Sequence, residues 1–81
     1  MIIEIEGEDF NYLYLKTLHA EEQQLLRDIG DEVIKEALHN RQNVIINRRG
    51  RWEFKSAVVL VIVEDDQQGY FDGIILTVYK V

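Results

Sequence analysis

The stretch Ser56–Val63, reading Ser-Ala-Val-Val-Leu-Val-Ile-Val, is apolar at every position after its serine. It is short, rich in β-branched residues, and runs into the turn-like Glu64-Asp65-Asp66. That pattern predicts a strand buried on both faces. Side chains alternate across a sheet, so Val58, Leu60 and Ile62 share one face and Ala57, Val59, Val61 and Val63 the other. Each face of a sheet built around this strand needs a cover, and a chain of 81 residues has little material to supply two.

The flanking segments supply the rest of one α+β domain spanning residues 1–81. Ile2–Glu6 alternates isoleucine and glutamate and predicts a half-exposed strand. Residues 10–16 predict a second strand that pairs with it as a hairpin. Thr17 is placed to cap a helix. From Leu18 to about His39, the residues Leu18, Leu25, Leu26, Ile29, Val33, Ile34, Ala37 and Leu38 recur at three- and four-residue steps. This predicts one long amphipathic helix, or two with a joint at Gly30. Short strands follow at 43–47 and 51–55, the latter running through a bend near Ser56 into the central stretch. A last strand spans 70–79, with Gly73 as a bulge. The expected order is β-β-α-β-β-β: an antiparallel sheet of about five strands with one helix on one face.

The last strand does not alternate cleanly either. Ile74, Leu76 and Val78 point one way, and Ile75, Tyr79 and Val81 the other. A second apolar face left in water marks an interface. We therefore expect a homodimer or a stable partner on the second face, with Val59, Val61, Val63, Ile75 and Tyr79 forming the dimer face. The competing expectation is a coiled sheet that closes on itself as a half-barrel.

Chemical signatures are few. There is no cysteine, so disulfides, thiolate metal sites and thiol catalysis are excluded. His19 and His39 would lie about 30 Å apart on one continuous helix, too far to share a metal. Ser56 is the only serine and is not flanked as a nucleophile elbow would be. The glycines are isolated. Glu64, Asp66, Gln68 and Gly69 fall at calcium-loop spacing, but Ile75 stands where a bidentate glutamate is required. No catalytic, cofactor-binding or metal residues are assigned, and the expected function is non-enzymatic. The N-terminus lacks the basic and long apolar segments of a signal peptide, and no apolar run is long enough for a membrane helix. The expected location is the cytoplasm.

Charge is the remaining signal. The net charge is −6. Residues 41–55 run against it, with Arg41, Arg48, Arg49, Arg51 and Lys55 opposed only by Glu53. A hairpin presenting Arg48, Arg49, Arg51 and Trp52 could contact phosphates and stack on bases, so direct nucleic-acid binding is one alternative. On the helix, Asp28, Glu32 and Glu36 repeat at four-residue steps, with Glu21, Glu22 and Asp31 nearby, and further carboxylates lie at Glu4, Glu6, Glu8 and Asp9 and at Glu64, Asp65 and Asp66. Arg27–Asp31 and Asp31–Lys35 pairs would relieve their repulsion. Rows of carboxylates can stand in for a phosphate backbone. In size and charge the chain resembles the loose class of small acidic phage-encoded inhibitors, some of which mimic DNA, a likeness that covers no motif. The leading expectation is an acidic, non-catalytic binding protein that occupies the basic surface of another protein, such as a DNA-binding one. A small enzyme or ligand-binding subunit with its site at a dimer interface is the third reading.

Overall fold

The computed structural model describes residues 1–7, 9, 11–39, 44–46 (backbone alone) and 50–81. Its elements are β1 (Ile2–Glu6), β2 (Asn11–Lys16), α1 (Leu18–Arg27), α2 (Asp31–His39), β3 (Val44–Ile46), β4 (Arg51–Lys55), β5 (Val59–Glu64) and β6 (Gly73–Lys80). The strands form one six-stranded sheet in the order β1-β2-β6-β5-β4-β3. All neighbours are antiparallel except β2 and β6, which run parallel. The fold is thus α+β with a mixed sheet, rather than the purely antiparallel one expected. The hairpin β1-β2 and the meander β3-β4-β5-β6 join along that one parallel seam.

The expected bend at Ser56 is a full turn. The Ser56 hydroxyl accepts hydrogen bonds from the backbone N–H of Val58 and Val59 at 3.1 and 3.0 Å, and the Ser56 N–H donates to the Val59 carbonyl at 2.9 Å. Side-chain closure of this kind offers the backbone an alternative to the ladder. The chain reverses, and β4 and β5 become separate neighbours with Trp52 opposite Val63 and Phe54 opposite Val61.

The helical segment is also two elements. Thr17 caps α1 as expected: its backbone is extended and its hydroxyl accepts from the Ala20 N–H at 3.1 Å. The same hydroxyl lies 3.1 Å from the carbonyls of Ile75 and Leu76, which ties the cap to β6. The helix ends at Asp28, in the left-handed conformation with φ 54°. The Ile29 N–H reaches the Gln24 carbonyl at 2.9 Å and the Asp28 N–H the Leu25 carbonyl at 3.4 Å, closing a Schellman motif. The Gly30 carbonyl then accepts from Val33 and Ile34 to start α2.

The core lies between the sheet and the helices. Ile34, Ala37 and Leu38 of α2 are buried against Ile3, Ile5, Tyr14, Phe54, Val59, Val61, Val63, Ile75 and Val78. Each large side chain here contributes roughly 1.5–3 kcal/mol. Helix α2 touches β1, β4 and β5, so the sheet curls around it. Gly73 is not a bulge. A Cβ there would lie 2.5 Å from a methyl of Val63 and 3.0 Å from the Tyr14 ring, so the missing side chain is what lets Tyr14 pack across β6. The register shift lies further on, opposite Ile62 and Val63.

Helix α1 packs differently from expectation. Leu18, Leu25 and Leu26 point to solvent, with Leu25 85% exposed, while Ala20 and Gln24 face inward. The helix lies along β6 beyond the end of β2, whose register with β6 stops at Lys16–Ile75. There Arg27 donates to the Val78 carbonyl at 2.9 Å and to the Gln23 side chain, and its guanidinium stacks 4.8 Å from the Tyr79 ring. An edge that would otherwise offer unpaired backbone groups is thereby covered. None of the described helices is long and apolar enough to cross a membrane.

Asp28 combines a left-handed backbone with a negative charge at the negative end of the helix dipole, and both are unfavourable. Asp28→Gly is expected to stabilise the fold by about 1 kcal/mol, raising the melting temperature by about 4–8 °C. Thermal unfolding followed by circular dichroism checks this; an unchanged or lower midpoint contradicts the account of the joint.

Candidate functional site

Helix α2 runs beside β1, the edge strand, and between them opens a groove of about 560 Å³. Its walls carry Glu4 and Glu6 from β1 and Glu32, Lys35, Glu36 and His39 from α2. The local reasons are simple. Alternation on β1 turns Ile3 and Ile5 into the core and leaves Glu4 and Glu6 exposed. On α2, burial of Ile34, Ala37 and Leu38 leaves the opposite face, with Glu32, Lys35 and Glu36, in solvent. Four carboxylates against one lysine make the groove acidic.

The expected acidic ladder is only partly present. Glu32 and Glu36 share α2, but the break at Asp28–Gly30 takes Asp28 off their helix. Glu21 lies 3.8 Å from the Met1 ammonium, and Glu22 is exposed on α1, outside the groove lining. The signal for Glu4 and Glu6 was the period-two pattern of Ile2–Glu6.

Asp31 serves the interior instead. The Lys16 ammonium, whose side chain is 3% exposed, donates to Asp31 Oδ1 at 2.8 Å and to Gln24 Oε1 at 2.7 Å. Gln24 Nε2 donates in turn to Asp31 Oδ1 at 2.8 Å and to the Ile29 carbonyl at 3.1 Å. The expected Arg27–Asp31 pair is replaced by this triad, because Arg27 is engaged at β6. The hydrogen bond from Gln24, then that from Lys16, holds the Asp31 carboxyl below the usual aspartate range, while Lys35 adds a weaker attraction.

The dimer-face assignment requires correction. Val59, Val61, Val63 and Ile75 are at most 2% exposed and lie on the helix side of the sheet; of the five residues only Tyr79 reaches solvent. The reason is register: α2 claims the face that Val59 shares with Phe54 and Ile75. The open face belongs to the alternate set. Leu13 and Tyr79 are exposed there, and Leu15, Leu60, Ile62 and Ile74 are half-buried. Register sets Leu15 beside Ile74 and Leu60 beside Tyr79.

The basic hairpin is dispersed as far as it is described. Arg48 and Arg49 lie outside the described residues. Trp52 packs against the core on the helix side and donates its indole N–H to Asp65 at 3.1 Å, whereas Arg51 alternates to the opposite face. The turn with calcium-loop spacing is organised by Asp66, whose carboxylate accepts from the N–H groups of Gln68, Tyr70 and Phe71 at 2.9–3.0 Å. Those bonds, that from Phe71 first, hold its carboxyl below the usual range. Among the described residues no three His, Asp or Glu side chains converge on a metal-sized site.

The triad makes a pH prediction. Asp31 is acidified by folding, so its stabilisation is complete above the ordinary aspartate value and is lost as pH falls through the lowered one. Asp31→Ala leaves the buried ammonium with Gln24 but without its counter-charge and, because Asp31 is itself partly solvated, is expected to cost about 1–2 kcal/mol at neutral pH, and Lys16→Met, which removes that charge, to cost less. Asp31→Asn removes the acid-side slope. Denaturant unfolding at a series of pH values checks both the order and the slope; equal costs, or an unchanged slope, would contradict the assignment.

No family model matches the chain, and neither the curated proteins nor the solved structures contain a significant match to it.

Proposed function

We propose that this protein is a small, acidic, non-catalytic binding protein that occupies the basic surface of another protein in the manner of a DNA mimic. The observation that carries this reading is the convergence of Glu4 and Glu6 with Glu32 and Glu36 on one open groove. Close carboxylates of one sign attract a cationic partner and speed its approach. The dispersal of Arg51 and Trp52 to opposite faces of β4 favours this reading over direct nucleic-acid binding.

The protein acts as a homodimer in this reading. The outer face of the sheet supports it: Leu13 and Tyr79 are exposed there and Leu60, Ile62 and Ile74 half-buried, away from the helix-side core and beside the charged residues of β4. Dimerisation there leaves the β1–α2 groove free at the rim. The cysteine-free composition fits a cytoplasmic setting.

Titration with poly-L-lysine by calorimetry tests the electrostatics. Affinity is expected to fall at least about tenfold between roughly 50 and 200 mM salt. Glu32→Gln with Glu36→Gln should weaken binding about tenfold at low salt. Glu22→Gln with Glu64→Gln, the same change in charge outside the groove, should have a much smaller effect. Salt-independent binding, or equal loss in both pairs, contradicts the reading.

A further inference from the structure

The groove is bounded on one side by an open strand edge. In antiparallel ladders, directly opposed residues alternate between pairs that exchange two hydrogen bonds and pairs that exchange none. The Lys16 N–H donates to the Met1 carbonyl at 2.7 Å, and the Met1 amine donates back to the Lys16 carbonyl at 3.5 Å, so that pair is bonded. Stepping by two along the register, Ile3–Tyr14 and Ile5–Tyr12 are the bonded pairs that follow. The backbone N–H and C=O of Ile2, Glu4 and Glu6 therefore point away from β2. Among the described residues no strand pairs with that side of β1.

Such an edge is a template for one more strand. The part of β6 past the end of β2 is covered by α1 and Arg27. The β1 edge has a groove beside it instead.

We propose that an extended, lysine- or arginine-rich segment of a partner protein adds to the sheet along β1, antiparallel or parallel, as a seventh strand seated against α2. This rests on the acidic-groove reading and names how the partner is held. Charge selects the occupant. Side chains of an added strand that point inward meet Glu32 and Glu36 of α2; those that point outward lie beside Glu4 and Glu6. Alternation thus makes both faces of the guest strand cationic. A second copy is disfavoured at this edge. Two β1 strands paired about a two-fold axis at Glu4 or at Ile5 set Glu4 against Glu4 or Glu6 of the other chain, and like charges directly opposite destabilise a sheet. The same carboxylates that repel a copy attract a basic strand.

The test uses the full chain and three synthetic probes. The first is a capped peptide, Lys-Lys-Val-Val repeated to about eight residues, the length of a typical strand, so that each face carries lysines. The second has the same sequence with alternate backbone amides N-methylated, which keeps charge and removes edge pairing. The third replaces lysine by glutamate. Strand addition predicts that the first peptide binds and the third does not, and that N-methylation weakens binding at least tenfold. It also predicts that the amide protons of Glu4 and Glu6 gain protection from exchange on binding. Glu4→Pro, which removes an edge-facing donor and no bond to β2, should weaken the first peptide more than Glu4→Gln does. If the methylated and unmethylated peptides bind alike and Glu4 and Glu6 gain no protection, strand addition is overturned while the acidic-groove reading stands. Failure of both cationic peptides and of poly-L-lysine overturns the two together. Protection of Glu4 and Glu6 that rises with protein concentration and no peptide would show a second copy on the edge and overturn the choice of occupant.

Discussion

Burial of one face of the sheet beneath two short helices is the constraint from which the rest of the structure follows. Once Val59, Val61 and Val63 lie under α2, register commits Phe54, Ile75, Tyr14 and Ile3 to the same side. Everything between them alternates outward. Leu60, Ile62 and Ile74 then lie half-buried on the face away from the helices, where Arg51, Glu53 and Lys55 of β4 also alternate, and Glu4 and Glu6 are presented at an edge. Both surfaces are the consequence of one packing choice.

A buried polar contact helps fix that choice. Lys16 ends β2, yet its ammonium is enclosed by Gln24 and Asp31 beneath the joint between the helices. An apolar side chain there would tolerate several positions of α1 and α2. A buried ammonium tolerates only those that keep both acceptors in reach. We regard the triad as the device that sets the two helices on β2, with Thr17 and Arg27 fastening α1 to β6 at its two ends.

Much of this was legible in the residues. The alternation of Ile2–Glu6, the Thr17 cap and the β-branched run at Val59–Val63 each state their local structure directly. Other features depend on tertiary context. The leucines of α1 have helical spacing, but the helix lies along a strand edge, so its inward face is Ala20 and Gln24 and the apolar face stays outside. Ser56 reads as the start of a strand because valines follow it; its hydroxyl instead closes a turn, which splits one expected strand into two. The parallel seam between β2 and β6 joins segments far apart in the chain and leaves no local signal. The choice of face on β5 is of the same kind: alternation separates Val59 from Leu60, and only the position of α2 decides which of them meets solvent. Of the candidate site, Glu32 and Glu36 were legible from helix spacing. Glu4 and Glu6 became part of it only when the fold brought β1 beside α2.

The proposal on which the surface account turns is that the outer face, carrying Leu60, Ile62 and Ile74, is an interface between two copies. Sedimentation equilibrium of the chain and of Ile62→Lys tests it most directly. Ile62 is half-buried on the open face and makes no part of the helix-side core. The account predicts twice the chain mass for the wild type at micromolar concentration, and a single chain mass for Ile62→Lys with its circular dichroism unchanged. A wild type that stays at one chain mass across the accessible concentration range would contradict it.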